Sequence, residues 1–165
     1  MAEVRSPAAP RRRKKVATAP LAVDTVDTRY LQTLLGYNAR RTALFIIEHF
    51  LQRMAEFDLR PVEFSVMSLI HHNPGITSRQ LCTALNLLPP NLVALIQTFE
   101  KRGLIERCAH PHDGRALGLH PTRAGRALMV QAEAAAQALE IEHSSRLSGE
   151  ERQQLISLLQ RVYLP

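Results

Sequence analysis

Apolar residues recur at three- and four-residue steps from Leu31 through Leu34, Leu35, Phe45, Ile46, Phe50 and Met54 to Phe57, with Thr42 and His49 on the same stripe. This spacing is that of an amphipathic helix. With Asp24 or Asp27 as N-cap it predicts one long helix over 27–58. Roughly thirty helical residues span about 45 Å, more than a small domain covers, so part of the stripe is expected to meet a second subunit.

The pattern then shortens. Arg60-Pro61 restarts the chain with proline at the first helical position, and Phe64, Met67, Ser68, Leu69 and Ile70 predict a short core-facing helix closed by Asn73-Pro74-Gly75. Thr77-Ser78-Arg79-Gln80 has the form of a capping box and opens a helix that buries Leu81, Cys82, Ala84 and Leu85. Asn86-Leu87-Leu88 is a turn. Pro89-Pro90 pre-set a helix running to Arg102 with Leu92, Leu95, Ile96 and Phe99 inward, and Gly103 follows as the C-terminal cap residue.

Residues 104–109 and 115–120 predict two short strands, with Asp113-Gly114 as the hairpin turn. Thr122 caps a helix from Ala124 to about Arg146. Ser148-Gly149-Glu150-Glu151 is a second capping box, opening a last helix with Leu155, Ile156, Leu158, Leu159 and Val162 inward. The fold class expected is mainly α with a small β-hairpin wing: a winged helix-turn-helix flanked by N- and C-terminal helices.

Composition narrows the partners. The formal net charge of +6 suits a polyanion. Half of it lies in residues 1–28, where six basic groups, mostly the Arg11–Lys15 run, face three acidic ones. Residues 1–23, rich in Ala, Pro, Arg and Lys, are expected to be disordered. The run reads either as a solvated tail or as a source of nonspecific phosphate contacts. The body is only mildly basic, so any grip on DNA there depends on placed residues. Cys82 and Cys108 have no metal spacing and suggest a reduced, cytoplasmic setting. No run of eighteen apolar residues appears, so no membrane association is expected.

The order of elements, with Glu100-Lys101-Arg102-Gly103-Leu104-Ile105-Glu106-Arg107, Asp113-Gly114-Arg115 and Leu119-His120-Pro121-Thr122-Arg123-Ala124-Gly125-Arg126, resembles the MarR (multiple-antibiotic-resistance regulator) family over residues 27–163. The resemblance implies a homodimer built from the terminal helices, near-palindromic DNA operators, usually repression, and release by a small aromatic ligand. The corresponding organisation is a basic tail over 1–26, a dimerisation helix over 27–58, a winged DNA-binding domain over 59–121 and dimerisation helices over 122–165.

In that family the second helix of the motif reads the major groove of double-stranded DNA. Its exposed positions here are Pro89, Pro90, Asn91, Val93, Ala94, Gln97 and Thr98. No cation lies between Arg79 and Lys101, which argues against guanine readout by this helix. Asn91 and Gln97 suit adenine, and Val93, Ala94 and the prolines suit thymine methyls; the alternative for Asn91 is capping or facing water. The resemblance puts Arg115 in the minor groove, held by Asp113, where a narrow A·T-rich groove favours it; taken alone, Arg115 is an exposed turn cation. Arg79, Lys101, Arg102, Arg107 and His112 are expected near phosphates, with Arg107 alternatively a solvated strand residue.

Effector binding is expected among Tyr37, Arg40, Arg41, Phe45, Phe64, Met67 and His71, for a small aromatic acid or aryl-CoA. Taken singly, Phe45, Phe64 and Met67 read as core. Metal binding is not expected: His71 and His72 are adjacent on a helix, His110 and His112 sit at the wing tip, and His49 and His143 are isolated. Neither cysteine suits a redox sensor. No catalytic motif or phosphate loop appears, so neither an enzyme nor a cofactor is expected. The alternative function is a nonspecific or architectural DNA-binding protein, motivated by the basic tail and the cation-poor reading helix.

Overall fold

From Pro61 onward each helix begins where a capping or pre-set residue stands. The computed structural model describes residues 25–110 and 113–164, and for residues 110 and 113–116 the backbone alone. The elements are α1 (Arg29–Gln32), α2 (Leu35–Met54), a 3-10 turn (Ala55–Phe57), α3 (Pro61–His72), β1 (Ile76–Thr77), α4 (Ser78–Leu85), α5 (Pro89–Lys101), β2 (Ile105–His110), β3 (Asp113–Pro121), α6 (Arg123–His143) and α7 (Gly149–Tyr163). The chain divides into a unit ending at Asn38 and a unit from Ala39 onward. The architecture is mainly helical with one small antiparallel sheet, as the pattern predicts.

In the first unit, the single helix expected from residue 27 is broken. Asn38 Nδ2 donates to the Gln32 and Leu34 carbonyls, each at 2.8 Å. A continuous helix would leave the Gln32 carbonyl to the Gly36 N–H. The Leu34 N–H instead closes a tighter turn on the Leu31 carbonyl at 3.0 Å. Asp27, one of the two expected caps, accepts the Arg29 N–H at 3.0 Å, although the cap position itself is Thr28; Asp24 lies outside the described residues. The 20-residue α2 is about 30 Å long rather than 45 Å.

In the second unit the local signals hold. Pro61 opens α3, with the Arg60 N–H donating to Glu63 Oε2 at 2.7 Å. At α4, the Gln80 N–H donates to Thr77 Oγ1 at 3.3 Å while Gln80 Oε1 accepts the Thr77 N–H at 2.9 Å. Ser148 and Glu151 close the same reciprocal box on α7. Gly103, at φ +67°, ends α5 in the left-handed region, where a Cβ is disfavoured. The α6 helix stops at His143, short of Arg146.

The sheet order is β1-β3-β2, antiparallel throughout. The two-residue β1 lacks an alternating pattern of its own and was not anticipated. It pairs Ile76 with Leu119 and Thr77 with Gly118. Gly118 is needed there, because a Cβ would lie 2.8 Å from the Gly75 carbonyl oxygen. The expected Asp113-Gly114 turn is displaced: His110 pairs with Asp113, so Asp-Gly opens β3 and residues 111–112, outside the described residues, connect the strands. A register shift at Ala109 and His110 takes up the extra residues of β3.

The core is apolar, and none of its buried residues is polar or charged among those described. Val66, Met67 and Ile70 of α3 meet Leu81 of α4, Leu92, Ile96 and Phe99 of α5, Leu119 of β3 and Met129 of α6. Each such side chain stabilises the fold by about 1.5–3 kcal/mol relative to exposure. The last helix departs from expectation. Leu155, Ile156, Leu158, Leu159 and Val162 are 38–66% exposed, and α7 buries no residue within the chain. No single described helix is long and apolar enough to cross a membrane.

Candidate nucleic-acid interface

Two helices and a hairpin build the candidate surface. The α4 and α5 axes turn by 119° across residues 86–88, within the range of a helix-turn-helix. Asn86, in the left-handed region at φ +50°, ends α4 and allows the Leu87 N–H to reach the Cys82 carbonyl at 3.0 Å. Leu81 on α4 and Leu92, Ile96 and Phe99 on α5 are buried to within 1%. Anchoring one side of α5 in this way commits its opposite side to solvent.

Pro89, Pro90, Asn91, Val93, Ala94, Gln97, Thr98 and Lys101 are all exposed on α5. Asn91 does not cap the helix. Leu88 holds the cap position and Asn91 is the third helical residue, leaving its amide toward water. The Thr98 hydroxyl donates to the Ala94 carbonyl at 3.0 Å, so its remaining capacity outward is to accept. Arg79 and Lys101 are exposed and make no ion pair with a described residue.

Two cations expected near phosphates are engaged inside the chain. Arg107 donates from Nε and Nη2 to the two Glu100 carboxylate oxygens at 2.7 and 2.9 Å. These bonds hold the Glu100 carboxyl below its usual range. Arg102 donates to the Asp58 and Phe57 carbonyls at 2.8 and 2.9 Å, tying the end of α5 to the 3-10 turn. Arg107 is neutralised by Glu100, and Arg102 is held in place by backbone carbonyls. His112 lies outside the described residues, as do the side chains of Asp113 and Arg115.

The wing is fastened from behind. The Thr122 hydroxyl donates to the Gly103 carbonyl at 2.7 Å and accepts the Gly125 N–H at 3.1 Å. The Thr122 N–H donates to the Leu104 carbonyl at 3.0 Å. One threonine therefore caps α6 and ties its start to the segment between α5 and the wing. This is the physical content of the Gly103-Leu104 and Pro121-Thr122-Arg123-Ala124-Gly125 motifs.

The expected effector residues do not form one cluster. Tyr37 is half-buried in the first unit. Arg40 and Arg41 are exposed on α2. Phe45 stacks on His49 and His143, with ring centroids 4.5 and 5.3 Å away. Phe64 meets Phe50 edge-on at 5.3 Å, Met67 is fully buried in the core, and His71 is half-buried. Phe45 and Phe50 are five residues apart on α2, about 140° around its axis. The Phe45 and Phe64 groupings thus occupy different faces.

Two expectations about histidines are corrected. His49 and His143 are not isolated: their rings lie 4.5 Å apart, beside a depression of about 310 Å³ that also involves Arg53 and Glu142. Nor does adjacency separate His71 and His72. Ligand atoms of His71, His72 and Glu133 all lie within 4.8 Å of one another. The long imidazole arms at the last turn of α3 span the 100° step between successive helical residues, and Glu133 of α6 meets them. No local sequence spacing pairs residue 72 with residue 133. Cys82 is half-buried and Cys108 exposed, both as free thiols.

A model of the MarR family matches residues 57–116. The putative transcriptional regulatory protein for the hcr operon of Thauera aromatica is 30% identical over 130 residues, covering 78% of this chain and 78% of that protein. The transcriptional repressor CouR bound to a 23-mer DNA duplex superposes with a TM-score of 0.78 at 34% identity, over 84% of this chain and 98% of that one. CouR bound to p-coumaroyl-CoA superposes at 0.74 and 33% identity, over 85% and 99%.

Proposed function

The chain belongs to the MarR family of transcriptional regulators, and on that premise we propose that two copies form a homodimer that represses from a near-palindromic operator. An aromatic carboxylate or aryl-CoA thioester releases it. The observation that carries the DNA reading is the solvent face of α5. Its core face is fully committed, and its other side offers amides, methyls and prolines with Lys101 at the end. Such a surface favours adenine and thymine edges. Arg115 at the wing supplies the minor-groove contact, and Arg79 and Lys101 supply phosphate contacts.

Dimerisation is supported by the apolar stripe of α7, which the chain itself leaves in solvent. The aryl-CoA reading rests on two observations. CouR, about one-third identical over nearly its whole length, holds p-coumaroyl-CoA. Here Arg40 and Arg41 are exposed on α2 without a described ion-pair partner, which suits the phosphates of a CoA moiety. A regulator acting on DNA in this way works in the cytoplasm.

The test is a fluorescence-anisotropy titration of a selected operator duplex, with p-coumaroyl-CoA and free CoA as probes. The thioester should lower the affinity at least tenfold and free CoA should not. Equal affinity with and without the thioester would remove aryl-CoA release from the account.

A further inference from the structure

At the end of α3, His72 Nε2 lies 2.9 and 3.0 Å from the two Glu133 carboxylate oxygens. Ser68 Oγ donates to Glu133 Oε1 at 2.7 Å. Taken alone, this is an ordinary histidine–carboxylate pair. His71 makes it more. Its ring lies 4.9 Å from that of His72, and its ligand nitrogen falls within the same 4.8 Å group. Its Nδ1 is buried without a hydrogen-bond partner. A buried ring nitrogen left unpaired is costly, and His71 sets a second imidazole beside the His72–Glu133 pair.

We propose that His71, His72 and Glu133 form a binding site for a divalent transition metal of the zinc class. Two imidazoles and one carboxylate are a borderline donor set, suited to zinc, nickel or copper. Calcium and magnesium prefer oxygen donors throughout. Zinc bonds of about 2.0–2.2 Å place tetrahedral ligand atoms about 3.4 Å apart, so the present group needs only side-chain adjustment. Three protein ligands leave a fourth position for water or an exogenous ligand. Ser68 holds the carboxylate through Oε1, a role whose removal typically weakens metal binding by about 10–100-fold. The site bridges α3 of the winged motif to α6 and is separate from the exposed face of α5.

The test uses the full chain without a polyhistidine tag, freed of metal by chelator and kept off DNA, so that it is independent of the regulator reading. Zinc is titrated in competition with a chromophoric chelator, and cobalt(II) is added to report coordination by its visible absorption. The wild type should take up one zinc per chain and give the intense bands of a four- or five-coordinate cobalt centre. His72→Ala and Glu133→Gln should each lose that equivalent, while His49→Ala retains it. Glu133→Gln keeps an oxygen for Ser68, and its helical circular dichroism should match the wild type. Absence of a tight zinc equivalent in the wild type would overturn the site, as would full retention of zinc in Glu133→Gln.

Discussion

Arg107 grips both carboxylate oxygens of Glu100, joining the last turn of α5 to the first strand of the wing. Fork-to-fork geometry of this kind fixes orientation as well as charge. The pair links the start of the hairpin to the last turn of α5.

Because the Arg107 hydrogen bonds lower the Glu100 pKa, the pair contributes stability above the ordinary glutamate value and loses it as pH falls through the depressed one. The side chains are 37% and 32% exposed, so solvent screening holds the contribution to about 0.2–1 kcal/mol. Glu100→Gln should lower the melting temperature at neutral pH. The gap from wild type should narrow toward pH 3, as followed by scanning calorimetry. A gap constant with pH would mean that the charge is immaterial.

Gly125 lies against the Leu104 carbonyl so closely that a Cβ would overlap the oxygen. Helix propensity alone predicts that Gly125→Ala stabilises α6 by about 1 kcal/mol. The packing predicts the opposite sign, a loss of about 1–3 kcal/mol, because the opposing atom is backbone and cannot rotate away. Chemical denaturation distinguishes the two: a stabilised variant would refute the clamp between Thr122, Gly125 and Leu104.

The stripe Leu155, Leu158, Leu159 and Val162 repeats at helical spacing and stays in solvent within the chain. Light scattering should give twice the 18.5 kDa chain mass for the wild type and the single-chain mass for Leu158→Glu. Since Leu158 is exposed and outside the buried core, the variant should remain folded. A monomeric wild type would exclude the homodimer.

Helix starts and stops were legible because their signals are local. Thr77 with Gln80, Ser148 with Glu151 and the left-handed Gly103 act within a few residues of themselves. The break before α2 was not legible, since it is marked only by side-chain bonds from Asn38 to the Gln32 and Leu34 carbonyls against an otherwise helical pattern. Strand β1 is too short to alternate and exists only through β3. At the candidate interface, periodicity identified which side of α5 is outward. It could not show that Arg102 is engaged by Phe57 and Asp58, which depends on where a segment more than forty residues away packs, nor that β2 turns Arg107 back onto Glu100. The inward assignment of α7 has the helical period, but within the chain that stripe stays exposed.

Selection of bound duplexes from a random pool, followed by sequencing, tests the central claim most directly. The account predicts enrichment of one near-palindromic sequence with A·T-rich segments where the wings reach, bound by two chains. Uniform recovery of unrelated sequences, with affinity set by salt alone, would contradict sequence-specific regulation and leave a nonspecific DNA-binding protein.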